Sequence, residues 1–168
     1  MMKLGRLLKH VFVTPGALHR AFPKSTLERI KETIAETETH HSGEIRFAME
    51  AALPWSYLRR NAPARQRALM VFSKLRVWDT EQNNGVLLYV ELADRSVEIV
   101  ADRGIAHKVG TEDWAAICRA MREHFRRGEY DSGALAGIQA IGARLEQHFP
   151  LAPGMENPNE LPDGAVEL

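Results

Sequence analysis

The stretch LRVWDTEQNNGVLLYVELADRSVEIVADRGI, Leu75 to Ile105, holds two strand signals and the turn that joins them. Val86, Leu87, Leu88, Tyr89 and Val90 form a short, nearly continuous apolar run of good β-formers, bounded by Asn83-Asn84-Gly85 before and Ala93-Asp94-Arg95-Ser96 after. A run of this kind is buried on both faces, so it is expected to be a central strand. Val97, Ile99 and Ala101 alternate with Glu98, Val100 and Asp102, which suits a strand with one face packed and the other partly solvated. The short polar link predicts an antiparallel hairpin. In such a hairpin the entry of the first strand lies beside the exit of the second. Asp79, Glu81, Asn83 and Asn84 are therefore expected to meet Asp102 and Arg103 at one end of a sheet.

Upstream, Ile45, Phe47 and Met49 alternate with Glu44, Arg46 and Glu50, giving an earlier strand. Pro54 to Pro63 reads as a loop whose Trp55 and Tyr57 are expected to cover a core edge. A helix follows from Ala64 to Leu75, with Ala68, Leu69, Phe72 and Leu75 as its expected buried side. Strand, helix and central strand make a βαβ unit, whose strands are parallel and whose crossover is right-handed. That arrangement brings Glu44 to the same sheet end as Asn84 and Asp102.

The remaining elements are helical. Leu4, Leu7, Leu8, Val11 and Phe12 follow helical spacing opposite Lys3, Arg6, Lys9 and His10, until Pro15-Gly16 interrupts. This basic amphipathic segment, residues 1–22, suits a helix docked on its own domain or a partner, or one lying on an anionic membrane surface. Ser25 and Glu28 have the spacing of a capping box ahead of Leu27, Ile30 and Ile34. Thr111 is the expected cap of a helix bearing Trp114, Ile117, Cys118, Met121 and Phe125, closed by Gly128. Asp131 or Ser132 is the expected cap of the last helix, with Leu135, Ile138, Ile141 and Leu145 facing inward. The acidic stretch 151–168, rich in Pro and Gly, has too few apolar residues to predict packing and is expected to be disordered. The whole reads as helices covering a small mixed sheet.

Composition narrows the function classes. The 168 residues carry 22 Lys+Arg and 22 Asp+Glu, so no overall field favours nucleic acid. The one cysteine, Cys118, excludes an intrachain disulfide and a cysteine metal cluster. No apolar run reaches the length of a membrane span, and no signal-peptide pattern opens the chain, so a cytoplasmic location is expected. There is no P-loop, and Cys118 sits on a helical apolar stripe, with no arginine six residues on, as a core residue does. His40-His41 lacks a second ligand pair and suits helix-end contacts, while His107, near Asp102, is the one histidine with acid/base potential.

The sharper chemistry lies at the sheet end. Glu44, Asp79, Glu81, Asn83, Asn84 and Asp102 are hard oxygen donors of the kind Ca²⁺ or Mg²⁺ takes, with Arg103 and Arg76 as alternative neutralising charges. The loop from Asp79 is not an EF-hand, because its sixth position is Asn84 and its twelfth Val90. The ordinary alternative is that the acids are solvated or paired with arginine.

These segments resemble the TPM domain family over about residues 23–150. The resemblance rests on HSGEIR (His41–Arg46), WDTEQNNGVLLYV (Trp78–Val90), EIVADRGI (Glu98–Ile105), Trp114 and GIQAIGARLEQHFP from Gly137. It implies an α/β/α sandwich, here with a small mixed sheet built on a βαβ unit plus an antiparallel hairpin. It also implies a divalent-cation site at the loop end in some members, carried over first onto Asp79 and Asp102 and then onto Glu44, Glu81, Asn83 and Asn84. Phosphatase activity is attributed to the family, although fold transfers more safely than activity. Three functions are therefore expected to compete. The first is a non-enzymatic module that binds a cation, calcium by preference, and meets a protein partner or membrane-associated complex. The second is a weak metal-assisted phosphatase of phosphomonoesters, and the third is docking through the basic N-terminal helix without a metal.

Overall fold

The computed structural model describes residues 4–168, so Lys3 and the start of the basic segment lie outside the described residues. In chain order the elements are α1 (Leu4–Phe12), α2 (Pro15–Ala21), α3 (Lys24–Glu38), β1 (Glu44–Glu50), α4 (Trp55–Arg59), α5 (Ala64–Lys74), β2 (Gly85–Glu91), β3 (Ser96–Ala101), α6 (Arg103–Ala106), α7 (Thr111–Arg126), α8 (Tyr130–His148) and β4 (Val166–Glu167). The four strands form one open mixed sheet in the order β3-β2-β1-β4. β1 runs parallel to β2, with Ile45 opposite Val86 and Glu44 opposite Gly85. β2 and β3 are the antiparallel hairpin, with Val86 opposite Ala101.

The sheet has helices on both faces. Ile45, Phe47, Met49, Val86, Leu88, Val90, Val97 and Ile99 point to the face covered by α2, α3, α7 and α8, where they meet Phe22, Ile34, Met121, Phe125 and Ile138. Phe22 stacks edge-on to Phe47, Phe125 and Tyr130 at centroid distances of 5.8, 6.1 and 5.6 Å, geometry that adds to simple area burial. The opposite face carries Ala48, Leu87, Tyr89 and Val100 against Ala64, Ala68 and Val71 of α5. This is the α/β/α sandwich, with one thick and one thin outer layer.

The thin layer holds most departures from the sequence expectation. Charged residues of β1 do not face water: Glu44, Arg46 and Glu50 are all buried. Glu50 receives Nε and Nη2 of Arg67, the first at 2.9 Å, and the Tyr89 hydroxyl at 2.7 Å. Arg67 therefore occupies the inward side of α5, whereas Leu69 turns outward. Trp55 is also exposed rather than a cover for the core, and Tyr57 instead lies beneath the guanidinium groups of Arg60 and Arg67.

The stretch after Pro150, where disorder was expected, folds back along β1. Val166 and Glu167 pair in parallel with Ala48 and Met49, and Leu161 is buried beside Leu87 and Val71. What seats this segment is mostly polar: the Leu161 amide donates to Glu44 Oε2 at 3.0 Å, and Arg46 donates to the carbonyls of Pro162 and Gly164. Backbone acceptors are invisible to a reading based on apolar content. The helix caps differ too. Pro23, Gly110 and Glu129 are the N-caps of α3, α7 and α8, none with a side-chain hydrogen bond, so neither the Ser25–Glu28 box nor the Thr111 and Asp131 or Ser132 caps form.

Candidate functional site

The loop end of the sheet is assembled by three chain ends that the hydrogen-bond register aligns. Glu44 opens β1, Gly85 opens β2 beside it, and the Asp102 amide, just beyond β3, donates to the Gly85 carbonyl at 2.8 Å. The loop before β2 is held close over this end. Thr80 Oγ1 accepts from the Asn84 amide at 3.1 Å, and the Asn83 carbonyl accepts from the Gly104 amide at 2.8 Å. Two glycines make the approach possible. A Cβ on Gly85 would fall 2.0 Å from the Val77 carbonyl oxygen, and one on Gly104 would fall 2.4 and 2.5 Å from the carbonyl oxygens of Gln82 and Asn83. Asn83 itself sits at φ 52°, in the left-handed region that asparagine tolerates.

Three buried oxygens at this end lack a donor: Glu44 Oε1, Asn84 Oδ1 and Asp102 Oδ2. Their partner atoms are engaged. Asn84 Nδ2 donates to Ser42 Oγ at 3.3 Å and Gln82 Oε1 at 3.4 Å, and Asp102 Oδ1 caps α6 through the Arg103 amide at 2.7 Å. An unpaired buried acceptor costs on the order of 1–3 kcal/mol, so each of these atoms carries an unmet demand for a donor or positive charge.

The other sequence candidates are less committed. Asp79 is half-exposed and paired with Arg76 at 2.7 Å, and Arg76 also lies over the Trp78 ring. Glu81 is exposed. Arg103 reaches Asn83 Oδ1 with Nε at 3.3 Å, which puts a guanidinium at the rim. His107 is exposed at the end of α6. His41, by contrast, is fully buried; its Nδ1 lies 3.1 Å from the Gly43 carbonyl, and burial lowers its pKa to about 4, so the ring is neutral. Cys118 is buried as expected, and burial pushes its thiol up to about 11.

Behind Glu44 lies a second buried carboxyl. Glu38, at the end of α3, accepts from the Ile45 amide at 2.9 Å. Burial and then the neighbouring Glu44 charge raise Glu38 to about 9, while burial raises Glu44 to about 7. Both values are raised first by removal of the charged carboxylate from water.

A different cluster forms at the turn end of the hairpin. His10, Glu91 and Asp94 place one ligand atom each within 4.8 Å of one another, and they are the one such group among the described residues. Spacing of that order can hold a metal ion. The hydrogen bonds already present give the cluster another role, however. His10 Nδ1 accepts from the Leu53 amide at 3.0 Å, which leaves the ring proton on Nε2, 3.2 Å from Asp94 Oδ2. Asp94 also takes Arg6 Nε at 2.7 Å, and Glu91 accepts from the amides of Ala93 and Asp94 at 2.8 and 3.1 Å. The cluster joins α1 to the hairpin. Its partners are some 80 residues apart in sequence, and no local motif announces it.

A family model described as the TPM domain matches residues 18–144. The chain belongs to the TPM domain family. Among solved structures, the domain is similar to the BA42 protein of the psychrophilic bacterium Bizionia argentinensis, at 28% identity and a TM-score of 0.74, covering 86% of this chain and 93% of that one. It also shares its fold with the N-terminal domain of a P. gingivalis protein, at 22% identity and a TM-score of 0.60, with 75% of this chain and 77% of that one covered. No curated protein matches the chain.

The TPM domain thus presents two polar ends. At one lie buried acceptors of Glu44, Asn84 and Asp102 that lack donors; at the other, Glu91 and Asp94 are engaged by backbone amides and Arg6. Among the described residues no helix is long and apolar enough to cross a membrane.

Proposed function

We propose that this TPM domain protein is a non-enzymatic module that binds one divalent cation, calcium in preference to magnesium, at the loop end of its sheet. Cation binding there orders the loop from Asp79 to Asn84 for contact with a partner. The observation that carries this reading is the set of buried acceptor oxygens without donors, Asn84 Oδ1 and Asp102 Oδ2, with Glu44 Oε1 at the neighbouring strand entry. A mixed set of carboxylate, amide and backbone oxygens suits Ca²⁺, which takes 6–8 such ligands in irregular geometry, better than Mg²⁺, which demands a near-ideal octahedron. In this reading Asn84 and Asp102 are the inner ligands. Glu44, Asn83 and Glu81 support them, and Asp79 joins only on release from Arg76. Arg103 supplies the compensating charge when the site is empty.

Calorimetric titration of chelator-treated protein tests this. Expected are calcium binding in the micromolar to millimolar range, weaker magnesium binding, and loss of calcium binding in both Asp102→Ala and Asn84→Ala. Absence of heat up to ~5 mM calcium, or binding unchanged in Asp102→Ala, would remove the site. Arg103 at the rim favours one second reading, a weak phosphatase in which the cation polarises a phosphoryl oxygen and Arg103 holds the phosphate. Aryl phosphate hydrolysis that persists at constant specific activity through purification, and is lost in Arg103→Ala, would favour it.

A further inference from the structure

Helix α1 is amphipathic and docked through its polar side. Arg6 and His10, one turn apart, face the domain: Arg6 holds Asp94 at 2.7 Å and the Ala62 carbonyl at 2.9 Å, and His10, 5% exposed, receives the Leu53 amide. The apolar side is turned out. Leu4, Leu8, Val11 and Phe12 are 69%, 47%, 64% and 76% exposed. At about 100° per residue they fall in one arc of about 100°, the width of stripe a helix normally buries. Trp55, also exposed, opens α4 two residues after Leu53, the residue whose amide holds His10.

The charges around this face have one sign. No Asp or Glu occurs in residues 4–27 or 51–78, and Lys9, Arg59 and Arg60 are exposed there. Asp94, the acid nearest α1, is already paired with Arg6. We propose that α1 and the start of α4 form a membrane-docking face, in which Leu4, Leu8, Val11, Phe12 and Trp55 enter an anionic lipid surface and the surrounding basic residues meet its headgroups. Helix α1 has nine residues and spans about 14 Å at 1.5 Å per residue, against a hydrocarbon core of about 30 Å, so it lies in the interface rather than across it. A second copy of the chain is a poorer occupant, because a two-fold contact through this face would bring the same basic residues, Lys9, Arg59 and Arg60, of both copies into one interface without acids to match them. An anionic surface neutralises them instead. This face lies at the turn end of the hairpin, opposite the proposed cation site, and the inference does not depend on that site.

The test is co-sedimentation of the full chain, in chelator, with vesicles of phosphatidylcholine alone or with about one-third phosphatidylglycerol. Expected is binding to the anionic vesicles only, reduced in ~1 M salt, where the screening length falls to about 3 Å. The double variant Leu8→Ser, Phe12→Ser alters only solvent-facing side chains and is expected to bind at least about tenfold more weakly. Lack of binding to the anionic vesicles, or equal binding by the variant, would overturn the proposal. So would a lipid-free dimer, seen by sedimentation velocity, that the variant converts to monomer, since the face would then be a self-contact.

Discussion

Replacing Glu38 by Gln should flatten the dependence of stability on pH. Glu38 is 4% exposed, accepts one backbone amide from Ile45, and faces the equally buried Glu44. Its carboxyl titrates at about 9 in the folded protein against 4.5 in the unfolded chain. Between those values the folded state keeps a proton that the unfolded state has released, so unfolding free energy falls as pH rises. The stabilising difference is complete below the unfolded pKa and is lost as pH climbs toward the folded one. One proton corresponds to a slope of about 1.4 kcal/mol per pH unit. Glu44 and Glu91, raised mainly by burial to about 7 and 8, add to the slope over the lower part of the same window. Glutamine keeps the acceptor for Ile45 and cannot ionise. Urea denaturation at several pH values from 5.5 to 8.5, in chelator so that no cation competes for the carboxylates, reads the slope directly. The variant is expected to lose about one proton's worth of slope while staying within about 1 kcal/mol of the parent at pH 5.5. Parallel profiles would refute the assignment of that buried proton to Glu38.

Two further substitutions probe the scaffold of the site and of the thin layer. Gly104→Ala places a methyl against the Gln82 and Asn83 carbonyls, backbone that cannot yield cheaply, and should destabilise by roughly 2 kcal/mol or more and displace the Asp79–Asn84 loop, seen as a lowered melting temperature and changed amide shifts in that loop. Arg67→Ala leaves Glu50 buried without its bidentate partner and should cost roughly 3–5 kcal/mol by denaturant titration, a loss that Glu50→Gln in the same chain should partly restore.

Much of the fold was legible because the hairpin and the βαβ unit are written in local patterns. Val86–Val90 and the alternation around Val97 and Ile99 fix their strands, and the register that follows puts Glu44, Asn84 and Asp102 at one end. Which of the six oxygen donors are buried was not legible. Asp79 and Asn84 are five residues apart in the same loop, yet one pairs with Arg76 in solvent and the other is fully enclosed beneath Ser42 and Gln82. That difference is set by contacts across the sheet end. The alternation in β1 announces a strand but not what covers its charged positions: Glu44, Arg46 and Glu50 are enclosed by residues 161–164 and Arg67. The Arg6–Asp94 pair, 88 residues apart, had no sequence signal at all. By contrast, the exposed stripe of α1 was plain as periodicity, and only its outward direction needed coordinates.

The closing segment bears on how the protein is made. Glu44 and Leu161 are 117 residues apart, so the outer edge of β1 stays open until the segment around Leu161 has left the ribosome. Until then an unpaired strand edge, with buried-type charges beside it, is a template for wrong pairing. The local elements can assemble early, but this contact has a long loop to close and is among the slower ones to form. Correct assembly therefore depends on residues 161–167 arriving before another strand finds that edge.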